Sequence, residues 1–227
     1  MTGSRRWWAL MSLVPAALAV SLDATVLSVA LPTLGTDLHA STDALQWFVI
    51  AYTLAFAAAM IPAGLLGDRV GRKRVLLTSL VVFGAGSLAC ATATGPATMI
   101  AARAILGIGA AAVLPMTMAF ITVLFEETER SKALAVIMTV TMLGFPIGPI
   151  VGGWLVTNAW WGWVFLINLP VVAVAMVAVA ALLPESSATS IAGTSVDRTA
   201  RGPVDVAGIV LSSAALAALS YGVTEVG

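Results

Sequence analysis

Two apolar stretches, 45–66 and 75–93, are each long enough to cross a bilayer as a helix, and only 67–74 separates them. A crossing takes about 20 mostly apolar residues. Inside hydrocarbon the backbone must satisfy its own hydrogen bonds, so such stretches are helices or strands of a closed barrel. Stretches of this length are helical, and the residues between them form a tight turn at one membrane face. That turn holds Arg69, Arg72, Lys73 and Arg74, the densest run of charge in the chain. Short loops rich in Lys and Arg stay on the cytoplasmic side, so the turn is expected there.

The same pattern repeats along the sequence. Further apolar segments cover 7–31, 98–124, 133–156, 163–183 and 206–226, giving seven expected spans. Pro32 and Gly35 are expected to end the first, and Thr94-Gly95-Pro96 turns the chain after the third. A polar loop with Glu126, Glu127, Glu129, Arg130 and Lys132 precedes the fifth span, and a Ser/Thr/Gly-rich loop at 184–205 precedes the seventh. Hydrophobic residues make up 60% of the 227, and charged residues 10%. Soluble domains carry about 25% charged residues, so the class is an all-α polytopic membrane protein. The Arg5-Arg6 pair before an apolar run is reminiscent of a signal peptide. That run continues through Asp23 to Leu31, too long for a signal core, so a retained first span is expected.

Charge fixes the expected topology. Of the 11 Lys and Arg, all but Arg103 lie in the N-terminus or the 2–3, 4–5 and 6–7 loops. With the N-terminus cytoplasmic, every one of those segments is cytoplasmic, as the positive-inside rule requires.

Ionisable groups within spans point most sharply to function, since each costs roughly 2.5–3.5 kcal/mol to insert at a helix centre. Away from span ends there are two, Asp23 in span 1 and Arg103 in span 4. Asp23 is expected about 12 Å from the outer end of its span and Arg103 about 8 Å, at 1.5 Å per residue. Opposite charges at comparable depth predict a salt bridge or a shared aqueous cavity. Gly107 and Ala111, on the same face as Arg103, are expected to leave it room. In span 5, Gly144, Gly148 and Gly152 recur every fourth residue and share a face suited to close helix packing. Pro146 and Pro149 are expected to kink that helix. Trp47 and Tyr52 are placed near the outer interface, and Asp68 is placed to pair with Arg72 or cap the following helix. Cys90 reads as a small buried hydrophobe, His39 as a lone loop residue and Glu225 as an interfacial carboxylate. No metal-ligand cluster, nucleophile elbow or phosphate loop is present in the sequence. No cofactor, metal or nucleic-acid partner is therefore expected, nor an enzymatic activity.

The run 64–76, GLLGDRVGRKRVL, resembles the signature loop between helices 2 and 3 of the major facilitator superfamily, with Gly64, Leu66, Asp68, Arg69, Gly71, Arg72, Lys73 and Leu76 in register. Leu22-Asp23-x-Thr25-Val26 with Ala30-Leu31-Pro32 resembles the helix-1 motif of its drug:proton antiporters with fourteen spans, with Ser28 where that motif has Asn. Arg103 with Gly107, Gly109, Ala110 and Ala111 resembles their helix-4 motif, with Leu106 replacing a Gln. Gly144, Pro146, Gly148, Pro149, Gly152 and Gly153 match their helix-5 antiporter motif. Gln46-Trp47 with Ala51-Tyr52, Trp163-x-Phe165-x-Ile167-Asn168-x-Pro170 and Val204-Asp205-x-x-Gly208 are similar to the starts of helices 2, 6 and 7.

The resemblance implies a six-helix N-terminal bundle at 1–183, a cytoplasmic loop at 184–205 and a seventh span at 206–227. It implies a proton-coupled exporter of small amphipathic or cationic compounds in the cell (plasma or inner) membrane, working by alternating access. Asp23 and Arg103 would serve proton coupling and the substrate path. Gly64, Asp68, Arg69, Gly71, Arg72 and Lys73 would gate the cytoplasmic side, and the span-5 motif would form the moving interface. A second expectation is a truncated half that transports nothing unless a missing C-terminal half or a homodimer completes it. An importer of the same superfamily is a third.

Overall fold

The computed structural model describes residues 3–184. The seventh span, most of the loop before it, and Glu225 lie outside the described residues. Among those described, the fold is all helix: α1 Gly3–Met11, α2 Val14–Asp37, α3 Thr42–Val70, α4 Arg72–Ala91, α5 Pro96–Ala111, α6 Val113–Leu124, α7 Glu127–Asn158, α8 Trp163–Leu166 and α9 Asn168–Leu182. They combine into six stretches long and apolar enough to cross a membrane. Span 1 is α1 with α2, spans 2 and 3 are α3 and α4, span 4 is α5 with α6, span 5 is α7, and span 6 is α8 with α9.

The three breaks within spans each fall two or three residues before a proline: Pro15, Pro115 and Pro170. A proline lacks the N–H that would bond the carbonyl one turn back and crowds that carbonyl. Other prolines do not interrupt. Pro32 lies inside α2, and Pro146 and Pro149 inside α7, which runs as one helix through both. So Pro32 does not end span 1, which continues to Asp37. Gly35 is a contact point instead, since a Cβ there would meet the Leu45 side chain at 3.3 Å. The fifth span also starts earlier than its apolar content indicates. Glu127 and Glu129 occupy the first turn of α7, where carboxylates favour the positive helix end. Arg130 donates to the carbonyls of Thr122 (3.1 Å) and Phe125 (3.2 Å), the last turn of α6. The expected polar loop is folded into the N-cap and first two turns of α7.

The basic turn between spans 2 and 3 shrinks to Gly71, which adopts φ 118° and ψ 129°. A Cβ is strained at that φ, so glycine alone reverses the chain in one residue here. Span 1 packs along span 5, span 2 along span 4, and span 3 along spans 4 and 6. Spans 3 and 4 meet backbone to backbone, and a Cβ on Gly86 would lie 2.7 Å from the Leu106 nitrogen. Spans 1, 3 and 4 supply much of the interior, including Leu34, Leu80, Phe83, Leu106 and Phe120.

Candidate transport site

The bundle's interior holds a buried ion pair. Asp23 is fully buried and Arg103 only 2% exposed, and Arg103 Nη1 lies 2.9 Å from Asp23 Oδ2. Taking two charges out of water costs several kcal/mol per ion, and their attraction offsets this only when the remaining polar atoms are also bonded. Here they are. Asn168 Nδ2 donates to Asp23 Oδ1 at 3.1 Å and to Ser87 Oγ at 3.1 Å. Ser87 Oγ in turn donates to the Phe165 carbonyl at 2.7 Å. Arg103 Nε donates to the Phe48 carbonyl at 2.9 Å, and its guanidinium sits 4.4 Å from the centroid of the Tyr52 ring. A cation over an aromatic face is attracted by the ring quadrupole, more strongly when dry. One network thus ties spans 1, 2, 3, 4 and 6 together.

Several expectations change here. Of the two arrangements open to Asp23 and Arg103, the structure takes the salt bridge. With span 1 extended, Asp23 lies about 21 Å from its far end, near mid-span, at 1.5 Å per residue. Tyr52 is not an interfacial ring. It is 5% exposed, supports Arg103 on one side and stacks with Phe56, ring centroids 6.1 Å apart. Gly107 does not make room for Arg103. A Cβ on it would run into the Tyr52 carbonyl, so the glycine brings span 4 against span 2. Ser28 keeps its hydroxyl on its own helix, donating to the Thr25 carbonyl at 2.7 Å.

Beside the network lies a cavity of about 260 Å³ between spans 1, 2, 4 and 5. Ser21, Tyr52, Phe56, Thr117, Thr141 and Phe145 contribute to its wall. Tyr52 is common to the cavity and the ion pair.

Span 5 meets span 1 through its glycine face. A Cβ on Gly144 would overlap Ser21, one on Gly148 would overlap Thr25, and one on Gly152 would come within 2.7 Å of Val26 Cγ2. Gly153 is off that seam, its nearest neighbour Val29 Cγ1 at an ordinary 3.6 Å. The hydroxyls at the seam bond within span 1. Ser21 Oγ donates to Leu18 O, and Thr25 Oγ1 to Ser21 O and Leu22 O.

At the basic end, Asp68 Oδ1 accepts from Arg72 Nη2 at 2.9 Å and Nε at 3.2 Å, and Arg72 Nη1 reaches the Ala119 carbonyl at 3.2 Å. Lys73 Nζ donates to the carbonyls of Ala180 (2.7 Å) and Leu183 (2.8 Å), closing the last turn of span 6. Arg6 and Glu129 pair at 2.6 Å, tying α1 to the start of span 5. Gly64 has no neighbour within 4 Å of a built Cβ, whereas Gly67 is pressed against the Met116 side chain. The sequence reading gave no role to Asn168 or Gly67. An amide in an otherwise apolar span was the available signal for Asn168.

The fold and the buried ion pair define a polytopic α-helical membrane protein. Residues 13–225 match the Major Facilitator Superfamily, and the chain belongs to that family. It is 42% identical over 184 residues to the methyl viologen resistance protein SmvA of Salmonella typhimurium, covering 81% of this chain and 37% of SmvA. It is 35% identical over 212 residues to the multidrug efflux pump LfrA of Mycolicibacterium smegmatis, covering 93% of this chain and 40% of LfrA. The chain thus spans about two fifths of the length of these relatives. Among solved structures, a double-tryptophan mutant of XylE superposes with a TM-score of 0.72 at 16% identity, over 81% of this chain and 46% of that one. That likeness is one of fold.

Proposed function

We propose that this chain supplies the first half of a proton-coupled exporter of small amphipathic or cationic compounds, working by alternating access. The buried Asp23–Arg103 pair carries the reading. A carboxylate held by a guanidinium in a dry interior has two stable arrangements, paired with the arginine or neutralised by a proton. Protonation at Asp23 removes its attraction for Arg103 and frees the guanidinium to turn. Because the network joins five spans, that change is felt across the bundle. The names of the relatives support export of toxic compounds. The aromatic and hydroxyl-bearing cavity suits a partly apolar ring system rather than a sugar.

In this reading the 64–76 region gates the cytoplasmic side, with the Asp68–Arg72 pair as its latch. The N-terminus is cytoplasmic and the bundle sits in the cell membrane. Spans 2 and 5 expose Met60, Leu65, Met142 and Ile150, and alternating access requires a second bundle rocking against the first. That bundle is a C-terminal half or a second copy, and co-purification of tagged with untagged chains separates the two. The decisive test is ethidium efflux from energised cells. Asp23→Asn and Arg103→Ala should each abolish it while membrane levels hold. Unchanged efflux in both variants would overturn the coupling role.

A further inference from the structure

We propose that residues 206–226 of this chain dock as a helix in the groove between spans 2, 3 and 4, making the seventh expected span a fixed member of the first bundle. The proposal rests on the crossing expected of that segment and not on transport. The groove encloses about 460 Å³ at the basic end of the bundle. Small side chains line it at Ala59, Ala63 and Ala112, and larger ones at Leu66, Val70 and Ile108, which are all exposed. Ser79, a polar residue in that wall, gives its hydroxyl to the Gly109 carbonyl and so leaves the surface apolar.

The chain leaves span 6 beside this groove. Lys73 Nζ donates to the Leu183 carbonyl at 2.8 Å, and span 3 goes on to supply Val75, Thr78 and Val82 to the groove wall. Residues 184–205 connect Leu183 to the segment. A chain of that length reaches about 25 Å even as a random coil, while packed helix axes lie about 10 Å apart. Arg198 and Arg201 keep the connection on the side of the basic turn. The segment therefore enters the membrane at the end where the groove lies. As a helix, 206–226 would be about 31 Å long, enough to cross a core of roughly 30 Å.

Depth then sets the register. Asp205 opens the segment and Arg69 lines the groove's mouth, so opposite charges meet at the membrane face. Span 2 runs toward that face and the segment runs away from it, so the two are antiparallel. Counting at equal rise from Asp205 and Arg69 sets Gly208 opposite Leu66, Ser212 opposite Pro62 and Ala215 opposite Ala59. All three positions on span 2 line the groove. Their counterparts are small and share one helix face. In lipid, helices associate through close packing, and small faces allow it. Met142 and Ile150 of span 5 stay uncovered. The segment would move with spans 1–6 when a second bundle rocks against those side chains.

Paired-cysteine crosslinking in native membranes tests this, on the full chain with the buried Cys90 replaced by alanine. Leu66→Cys with Gly208→Cys, and Ala59→Cys with Ala215→Cys, should each form a disulfide within one chain. The crossed pairs, Leu66→Cys with Ala215→Cys and Ala59→Cys with Gly208→Cys, should not. They are about 10 Å out of register, beyond the roughly 7 Å that a disulfide spans between Cα atoms. Val210→Cys, on the opposite side of the segment from Gly208, should lose the crosslink to Leu66→Cys. Ile108→Trp, which fills the groove, should abolish both in-register crosslinks. Yields are compared at equal membrane levels. Absence of both in-register disulfides, or equal yields from the crossed pairs, would overturn the proposal. Disulfides that join two chains would overturn it in favour of a second copy. Crosslinking of Met142→Cys to cysteines within 206–226 would place the segment against span 5 instead. Labelling of the groove by a photoactivatable phospholipid in the unsubstituted chain would show that lipid fills it, and would also sink the proposal.

Discussion

Spans 1 and 5 lie side by side and are almost equally apolar, with mean hydropathy 1.9 and 2.0 over their richest windows. Yet 56% of the first window is buried in the bundle and only 17% of the second. Span 2 resembles span 5, with 11% buried, and spans 3 and 4 resemble span 1. Hydropathy reports what a segment can enter, not what it faces. In water a large apolar face signals burial; in lipid it is satisfied by hydrocarbon or by another bundle. What separates the two kinds of span is polarity. Asp23, Ser87 and Arg103 lie on buried spans, each with a bonded partner. The large side chains of span 5, Met142, Ile150 and Trp154, point away from the core and contact none of that network.

Substitutions can break or sharpen this contrast, with unfolding of the purified protein in detergent as the measurement. The largest loss should follow Arg103→Met, which leaves the Asp23 carboxylate buried without its cation and should cost about 3–5 kcal/mol. Adding Asp23→Asn should recover most of that loss. A double variant no more stable than the single would show that the two residues are not coupled. Next comes Gly148→Val, which forces spans 1 and 5 apart at Thr25 and should cost about 2–3 kcal/mol. Gly153→Ala, one residue off the seam at that end, should change stability by less than about 0.5 kcal/mol. Equal losses at both glycines would mean that the seam is not where span 5 is held.

Asn168→Leu removes the donor to Asp23 and Ser87 and should cost about 1–2 kcal/mol. The smallest effects belong to Ile150→Ala on the outward face of span 5 and to Tyr52→Phe. The Tyr52 hydroxyl is buried and has no hydrogen-bond partner among the described residues, so its loss should leave stability within about 0.5 kcal/mol or raise it. The ring, retained in that variant, still supports Arg103. A loss above 2 kcal/mol for Tyr52→Phe would show that the hydroxyl is bonded.

The number and rough extent of the first six spans were legible in the sequence, because hydrocarbon imposes a length on every crossing. The Asp23–Arg103 pair was legible as well, since two opposite charges in hydrocarbon have little else to bind. Span ends were read less well. Pro32 looked like a stop because its missing N–H matters in isolation, while packing at Leu34 and Gly35 carries the helix past it. Glu127 to Lys132 has the charge of a solvent-exposed loop, but carboxylates also suit a helix start. Tyr52 was misplaced for a related reason. Its distance along the span suggested an interface, but which side of a helix faces a neighbouring arginine depends on packing between spans. The glycines divide the same way. Their fourfold spacing announced a close contact, but not that span 1 is the partner, nor that Gly64 has open space around it.

The seam between spans 1 and 5 has one further property. Its hydroxyls at Ser21 and Thr25 turn back onto their own helix, and its other face is glycine. Along that face attachment is by fit alone, like planed boards pressed together, with the Arg6–Glu129 pair as a single nail at one end. Such a joint strongly opposes being pulled open, because every contact is lost at once. It opposes a small glide along its length far less, because no directional bond crosses the glycine face and the Arg6–Glu129 pair at its end joins two long, partly exposed side chains. Friction between these two rods is therefore low where the grip is tight, which is the requirement for a bearing.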